Sequence, residues 1–372
     1  MGRPAQKIDP ARFINKAIFD EKIDDFAPKN KFQDFKIDQR LINAVANKGY
    51  KSPTPIQDQI INHIIDGFDV VGIADTGTGK TAAFLLPIIN KVLKNYREKI
   101  LIVAPTRELA VQIDQEFKSF VRAMRIFSVC CVGGMGIGRQ ISELRYNNNL
   151  VIGTPGRLKD LINRKMINLS QFNTVVLDEA DRMFDMGFIN DTRFIMSQMP
   201  KTRQTLFFSA TLSNDIERMI KEFTKDPVRV SVKTRDTSKN VEQDIVRIDQ
   251  GKTKWEVLNN LLSKEEFNKV LIFGRTKHGV EKLAKNLYSS GFKVESIHGN
   301  KNNTQRQRAL EMFKCNRVQI LVATDVAARG LDIADISHVI NYDIPSTYDD
   351  YIHRIGRTGR YNKRGTALTF IE

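Results

Sequence analysis

The 372-residue sequence predicts an α/β protein built from two mostly parallel-sheet domains in tandem, each flanked by helices. Three observations carry this. Short β-branched and aliphatic runs are apolar throughout, the pattern of strands covered on both faces by helices. Helix-length amphipathic segments separate them. The alternation stops at the polar stretch 233–240 and then starts again.

In the first half, residues 70–73, 100–103, 175–177 and 206–208 read as strands, and 81–93 and 108–121 as helices. In the second half, 270–273, 294–297, 320–322 and 338–340 read as strands, and 278–289 and 303–313 as helices. Residues 1–31 mix both charge signs with few large apolar groups and read as a largely flexible extension. The expected domains are therefore 32–232 and 241–372, joined by the linker 233–240.

Hydrophobic residues make up 41% of the chain, enough for two cores. The 58 basic against 43 acidic residues leave a net charge of +15, which points to a polyanionic partner. A solvated basic surface would give the same number, so charge alone does not choose. Cys130, Cys131 and Cys315 have no CxxC spacing and no His cluster nearby, which argues against zinc and against a disulfide framework. Cys130 and Cys131 lie in the apolar run 127–132 and read as packed. No apolar run approaches the ~18 residues of a membrane span. No signal-peptide stretch opens the chain, so a cytoplasmic protein is expected.

In open α/β sheets, ligands bind beyond the carboxyl ends of the strands. After residues 70–73 comes Ala74-Asp75-Thr76-Gly77-Thr78-Gly79-Lys80-Thr81 and then an apolar helix. This is a Walker A loop with Ala74 in place of the first glycine. The glycines let backbone N–H groups turn onto phosphate oxygens, and the helix N-terminus adds partial positive charge. Lys80 suits the β/γ-phosphates, and the Thr81 hydroxyl suits Mg²⁺. The strand at 175–177 ends in Asp178-Glu179-Ala180-Asp181. Asp178 stands where a Walker B carboxylate holds Mg²⁺, directly or through water, and Glu179 where a base activates water. Alone, such a cluster is usually a solvated loop; paired with the Walker A loop it reads as catalytic.

Asp178–Asp181 spells D-E-A-D, and the chain from Phe32 to its end resembles the DEAD-box helicases motif by motif. Tyr50 with Pro53-Thr54-Pro55-Ile56-Gln57 resembles the Q motif, and Phe32 stands 17 residues ahead of Gly49, where the family carries an isolated aromatic. Pro105-Thr106-Arg107 resembles motif Ia, Gly133-Gly134 the double glycine, Thr154-Pro155-Gly156-Arg157 motif Ib, and Ser209-Ala210-Thr211 motif III. In the second half, 271–276 resembles motif IV, Gln305 with Arg308 the QxxR pattern, 323–332 motif V and 353–360 motif VI. Residues 185–188 point to a bacterial RhlE-like branch.

The resemblance implies two RecA-like domains, an ATP- and Mg²⁺-dependent RNA helicase, and site roles. Tyr50 would stack on adenine and Gln57 would read its edge, with Phe32 and Thr76–Thr81 completing the nucleotide site. Asp332 would bind ribose. Arg357 and Arg360 would reach the γ-phosphate from the second domain, with His353 linking them to motif III. Asp181, Ser209 and Thr211 would couple the domains. RNA, single-stranded or in short duplexes, would lie on Pro105, Thr106, Arg107, Gly134, Thr154, Pro155 and Arg157. In the second domain it would meet Arg275, Thr276, Gly299, Thr324, Asp325 and Gly330. For the threonines and glycines, ordinary capping and turn chemistry is the competing reading. A monomer is expected; protein partners are not legible. Two rivals share the same core: a processive DNA helicase, and an ATP-gated RNA clamp.

Overall fold

Every apolar run expected to be a strand is one, within a residue or two. In the computed structural model, the described residues are 9–16, 26–75, 77–122, 124–232, 241–328, 333, 335–359 and 364–371. The expected linker 233–240 lies outside them. The chain forms two units, one of residues 23–234 and the other of residues 1–22 together with 235–372, and each is a parallel sheet between helices.

The first sheet contains β1 (Val70–Ile73), β2 (Ile100–Val103), β3 (Ser128–Cys131), β4 (Leu150–Gly153), β5 (Thr174–Leu177), β6 (Gln204–Ser209) and β7 (Val228–Ser231), in the order β3-β4-β2-β5-β6-β1-β7. All its pairings are parallel. Alternate residues of each strand enter opposite cores. Val70, Ile100, Ile102, Val176 and Phe208 pack on one face, while Val71, Leu101, Val103, Val175 and Phe207 pack on the other. Both faces are buried, which is why the sequence shows no alternation of polar and apolar residues. Each such side chain contributes about 1.5–3 kcal/mol.

The second sheet contains β8 (Val241–Arg247), β9 (Val270–Phe273), β10 (Val294–Ile297), β11 (Ile320–Ala323), β12 (His338–Asn341) and β13 (Gly365–Ile371), in the order β10-β11-β9-β12-β13-β8. Leu271, Phe273 and Leu321 face one core; Val270, Ile272 and Ile320 face the other. Cys131 is buried as expected, whereas Cys130 is half-buried and Cys315 exposed. Burial pushes the Cys131 thiol up to about 12. No helix among the described residues is long and apolar enough to cross a membrane.

The N-terminal segment departs from the expectation of a flexible extension. Its described residues 9–16 belong to the second unit. Phe13 is fully buried there, and Asn15 forms an antiparallel bridge with Gln243 of β8. Residues 26–31 belong to the first unit instead, and the backbone N–H groups of Lys29 and Asn30 donate to the Asp58 carboxylate at 2.9 and 3.0 Å.

Candidate active site

In the first domain the phosphate loop follows β1 directly. Gly79 ends it with φ +92°, a left-handed conformation that an L side chain resists, and leads into the helix Lys80–Lys94. A Cβ on Gly79 would also stand 2.5 Å from Gln57 Nε2 and 2.9 Å from Thr54 Oγ1. Glycine is thus required twice, by the turn and by the packed Q-motif residues. Lys80 is 6% exposed and donates to the Ala74 carbonyl at 2.6 Å. Thr76 lies outside the described residues.

Both ends of the Gln57 amide are hydrogen-bonded. Its Nε2 donates to the Gly79 carbonyl at 3.1 Å, and its Oε1 accepts from Thr54 N at 3.0 Å. It ties the helix Pro55–Ile65 to the phosphate loop. Phe32 is 3% exposed, with its ring 6.1 Å from Phe35 and 6.3 Å from Tyr50. Core packing takes up the ring, which backs Tyr50. The Tyr50 hydroxyl donates to Glu116 at 3.0 Å.

Asp178 follows β5 and is 2% exposed. Burial pushes its carboxyl up to about 7, opposed by Lys80 and reinforced by the charge of Glu179. Glu179 holds a left-handed backbone, φ +50°, and is also buried. Its carboxylate is paired with Arg182, one turn along the helix Ala180–Asp185, and both side chains are 7% exposed. Asp181 completes the cluster. Its Oδ2 accepts from Ala210 N and Thr211 N, both at 3.0 Å, and from the Thr211 hydroxyl at 3.3 Å. Ser209 donates to the Thr211 carbonyl at 2.8 Å. The last residue of D-E-A-D and the S-A-T motif are therefore one hydrogen-bonded unit at the ends of β5 and β6.

The three motifs expected to meet RNA in this domain follow β2, β3 and β4, which are adjacent strands. The Arg107 guanidinium lies over Gly133 and Gly134, where any side chain on Gly134 would strike it. Arg157 donates to Gln140 Oε1 at 2.8 Å and to the Met135 carbonyl at 3.3 Å. Both arginines are gathered on the loop after β3. Thr106 caps the helix Arg107–Phe120 by accepting from Leu109 N at 3.3 Å, and Thr154 with Pro155 opens the helix Pro155–Asn163. For Thr106, capping chemistry accounts for the hydroxyl.

In the second domain, Arg275 is exposed and its backbone N–H donates to Asp343 at 2.7 Å. Thr276 caps the helix Lys277–Ser289. Gly299 is open, with nothing near its Cβ position, and Thr324 is half-buried. Before Gly299, His298 meets Glu281 through Nε2 at 3.0 Å and accepts from Asn300 N through Nδ1 at 3.3 Å, which fixes that loop. Asp325, expected on RNA, has both oxygens bonded to Arg354, at 2.5 and 2.8 Å. Arg354 is 2% exposed and also donates to Asn341 Oδ1 at 3.2 Å and the Asp343 carbonyl at 2.6 Å. A carboxylate bonded in this way to a buried guanidinium braces the loop. Arg357 is 4% exposed and donates to the His353 carbonyl at 3.3 Å, beside a cavity of about 180 Å³ that Ser337, Thr358 and Arg364 also line. Gly330, Asp332 and Arg360 lie outside the described residues.

Sequence reasoning missed Arg182 and Arg354. Each is ion-paired to a motif carboxylate, and spacing along a helix offered a signal for Arg182 alone: it stands three residues from Glu179.

The family model "DEAD/DEAH box helicase" matches residues 54–219, and "Helicase conserved C-terminal domain" matches residues 253–362. The ATP-dependent RNA helicase CshA of Listeria monocytogenes is 44% identical over 346 residues, covering 92% of this chain and 66% of its own length. The DEAD-box ATP-dependent RNA helicase CshA of Bacillus subtilis is 44% identical over 342 residues, covering 91% and 69%. The chain thus spans about two thirds of the length of these curated relatives. Among solved structures, Saccharomyces cerevisiae Dbp5 bound to RNA and ADP BeF3 matches with a TM-score of 0.82 at 28% identity, covering 92% of this chain and 89% of that one. Both relatives are CshA helicases, so the RhlE-like branch is not what these matches show.

Proposed function

Because the chain belongs to the DEAD-box family of ATP-dependent RNA helicases, we propose that it hydrolyses ATP when bound to RNA and uses that cycle to open short duplexes or remodel RNA locally. The observation that carries this reading is the buried cluster at the ends of β1, β5 and β6. There Lys80, Asp178, Glu179 and the Asp181 bonds to Ala210 and Thr211 converge.

The donor set suits magnesium. Thr81 and Asp178 offer hard oxygens, and no group of three or more His, Cys, Asp or Glu side chains among the described residues forms a cage of its own. That is what an ion held by one carboxylate, substrate phosphates and water needs. When bound, the ion would offset the charge on the phosphate oxygens. Lys80 exchanges the Ala74 carbonyl for β/γ-phosphate oxygens. Gly77, Thr78 and Gly79 present backbone N–H groups to them. Glu179 accepts a proton from the attacking water as the bond to the γ-phosphorus forms and the bond to the ADP oxygen breaks. Arg357 and Arg360 supply forked positive charge to the transferring group, His353 orients them, and Asp332 holds the ribose. Tyr50 stacks on the base, and Gln57 reads its edge and, through its bond to Gly79, couples that contact to the phosphate loop.

RNA binds through phosphates at Arg107, Gly134 and Arg157 in the first domain and Arg275, Gly299 and Thr324 in the second. Arginines, open glycines and helix N-termini suit sequence-independent contact. The protein works as a cytoplasmic monomer on this reading. The test is ATP turnover with RNA, with single-stranded DNA and with neither, repeated with Glu179→Gln. RNA alone is expected to stimulate, and Glu179→Gln to abolish turnover while RNA and ATP still bind. Equal stimulation by DNA would overturn the substrate, and undiminished turnover in Glu179→Gln would overturn the base.

A further inference from the structure

The second domain carries an interaction surface that the catalytic reading does not use. β8 is the edge strand of its sheet. Beside it Val241, Tyr351, Ile355 and Ala367 form a socket, and Phe13 fills it completely, its ring centroid 4.7 Å from that of Tyr351. Asn15 and Gln243 exchange two backbone hydrogen bonds, Asn15 N to Gln243 O at 2.9 Å and Gln243 N to Asn15 O at 2.8 Å. Arg12 stacks over the Tyr348 ring at 3.8 Å. Asp9 caps the short turn Pro10–Phe13 by accepting from Ala11 N at 2.9 Å. Strand addition at an open edge with one aromatic anchor is a peptide-recognition mode, here satisfied by the chain's own N-terminal segment.

The position of this segment in the chain gives the contact a consequence. Residues 26–232 belong to the first domain, so the chain leaves the second domain after residue 16, builds the first, and returns at 241. Two chain segments therefore run between the domains while Phe13 stays seated, one of them held to the second domain by packing and hydrogen bonds rather than by a covalent bond. From residue 16 to 26 the chain can reach at most about 36 Å, and from 232 to 241 at most about 32 Å. A second tie raises the concentration at which each domain meets what the other has bound.

We propose that residues 9–16 are a strap, an intramolecular β-strand ligand of the second domain that limits separation of the domains and so lowers the RNA concentration needed for activity. The effect on RNA rests on the ATP and RNA reading above; the restraint itself does not.

The experiment compares the full chain, Phe13→Asp, and a variant lacking residues 1–22. Each carries dyes at exposed Cys315 and at Tyr146→Cys on a Cys130→Ser background, for single-molecule energy transfer. A peptide of residues 7–18 is added in trans to the truncated variant. The expected result is a broadened distance distribution in both strap variants. The RNA concentration for half-maximal ATP turnover should rise by about 3–10-fold with kcat unchanged. The free peptide should restore the melting temperature of the second domain but leave the distances broad, because it fills the socket without joining the domains. Unchanged distances in the truncated variant, or distances narrowed by the free peptide, would overturn the strap. Absence of RNA-stimulated turnover in the full chain would overturn the helicase reading instead, and the distance measurement would still decide the strap.

Discussion

Replacing Arg182 by methionine leaves Glu179 as a buried carboxylate without its cation. Both side chains are 7% exposed, so water does not screen the loss. Removing one partner of such a pair costs about 3–5 kcal/mol, whereas removing both leaves most of the stability in place. With a urea slope of about 2–3 kcal/mol/M, the midpoint of the first domain should fall by about 1–2 M in Arg182→Met. It should recover for the most part in the double variant with Glu179→Gln. The protein is well suited to this measurement: its one tryptophan, Trp255, lies in the second domain, so its fluorescence should not move while far-UV circular dichroism follows the first. Arg182 also fixes where the Glu179 carboxylate stands. Displacing a catalytic group by about 1 Å costs on the order of 100-fold, so kcat should fall by about 10–100-fold with the KM for ATP unchanged. If the single losses simply add within about 0.5 kcal/mol in the double variant, the two residues are not coupled and the positioning role is refuted.

Two further outcomes are expected. Gly134→Ala drives a methyl group into the Arg107 guanidinium at a residue with φ +74°, so RNA affinity should fall severalfold while RNA-independent ATP binding is retained, as filter binding and nucleotide titration would show. The second pits pH against the second domain. Burial holds the His338 imidazole below its ordinary 6.5, with the ring stacked 4.1 Å from Phe267. The unfolded chain then binds the extra proton first as pH falls, so stability is full above 6.5 and declines toward the lowered folded value. Urea melts followed by Trp255 from pH 8 to 5 should show that decline, and His338→Gln should flatten it.

The sheets were legible because residues such as Ile100–Val103 and Val270–Phe273 are buried on both faces, which leaves unbroken apolar runs. β3 was harder to see, since Ser128 and Cys130 are only half-buried on that edge strand. The phosphate loop and D-E-A-D cluster were legible for a different reason: their chemistry fixes residue types at fixed spacing. Contacts between distant side chains left no such mark. Phe13 looks like a lone aromatic in a charged tail until Tyr351 is placed beside it. The bonds from Arg354 to both oxygens of Asp325, 29 positions earlier, are of the same kind. Gln57 similarly has a local partner in Thr54 and a remote one in Gly79, and the second ties its helix to the phosphate loop.

The beginning and the last strand of the described chain meet in the same socket, Phe13 against Ala367 of β13. A circular permutant, with a short loop joining the present ends and new ends opened between residues 17 and 25, would keep Phe13 seated and Asn15 hydrogen-bonded. It would also cut one of the two routes between the domains. The rearranged gene would thus uncouple occupancy of the socket from mechanical restraint, without altering a single contact around the nucleotide.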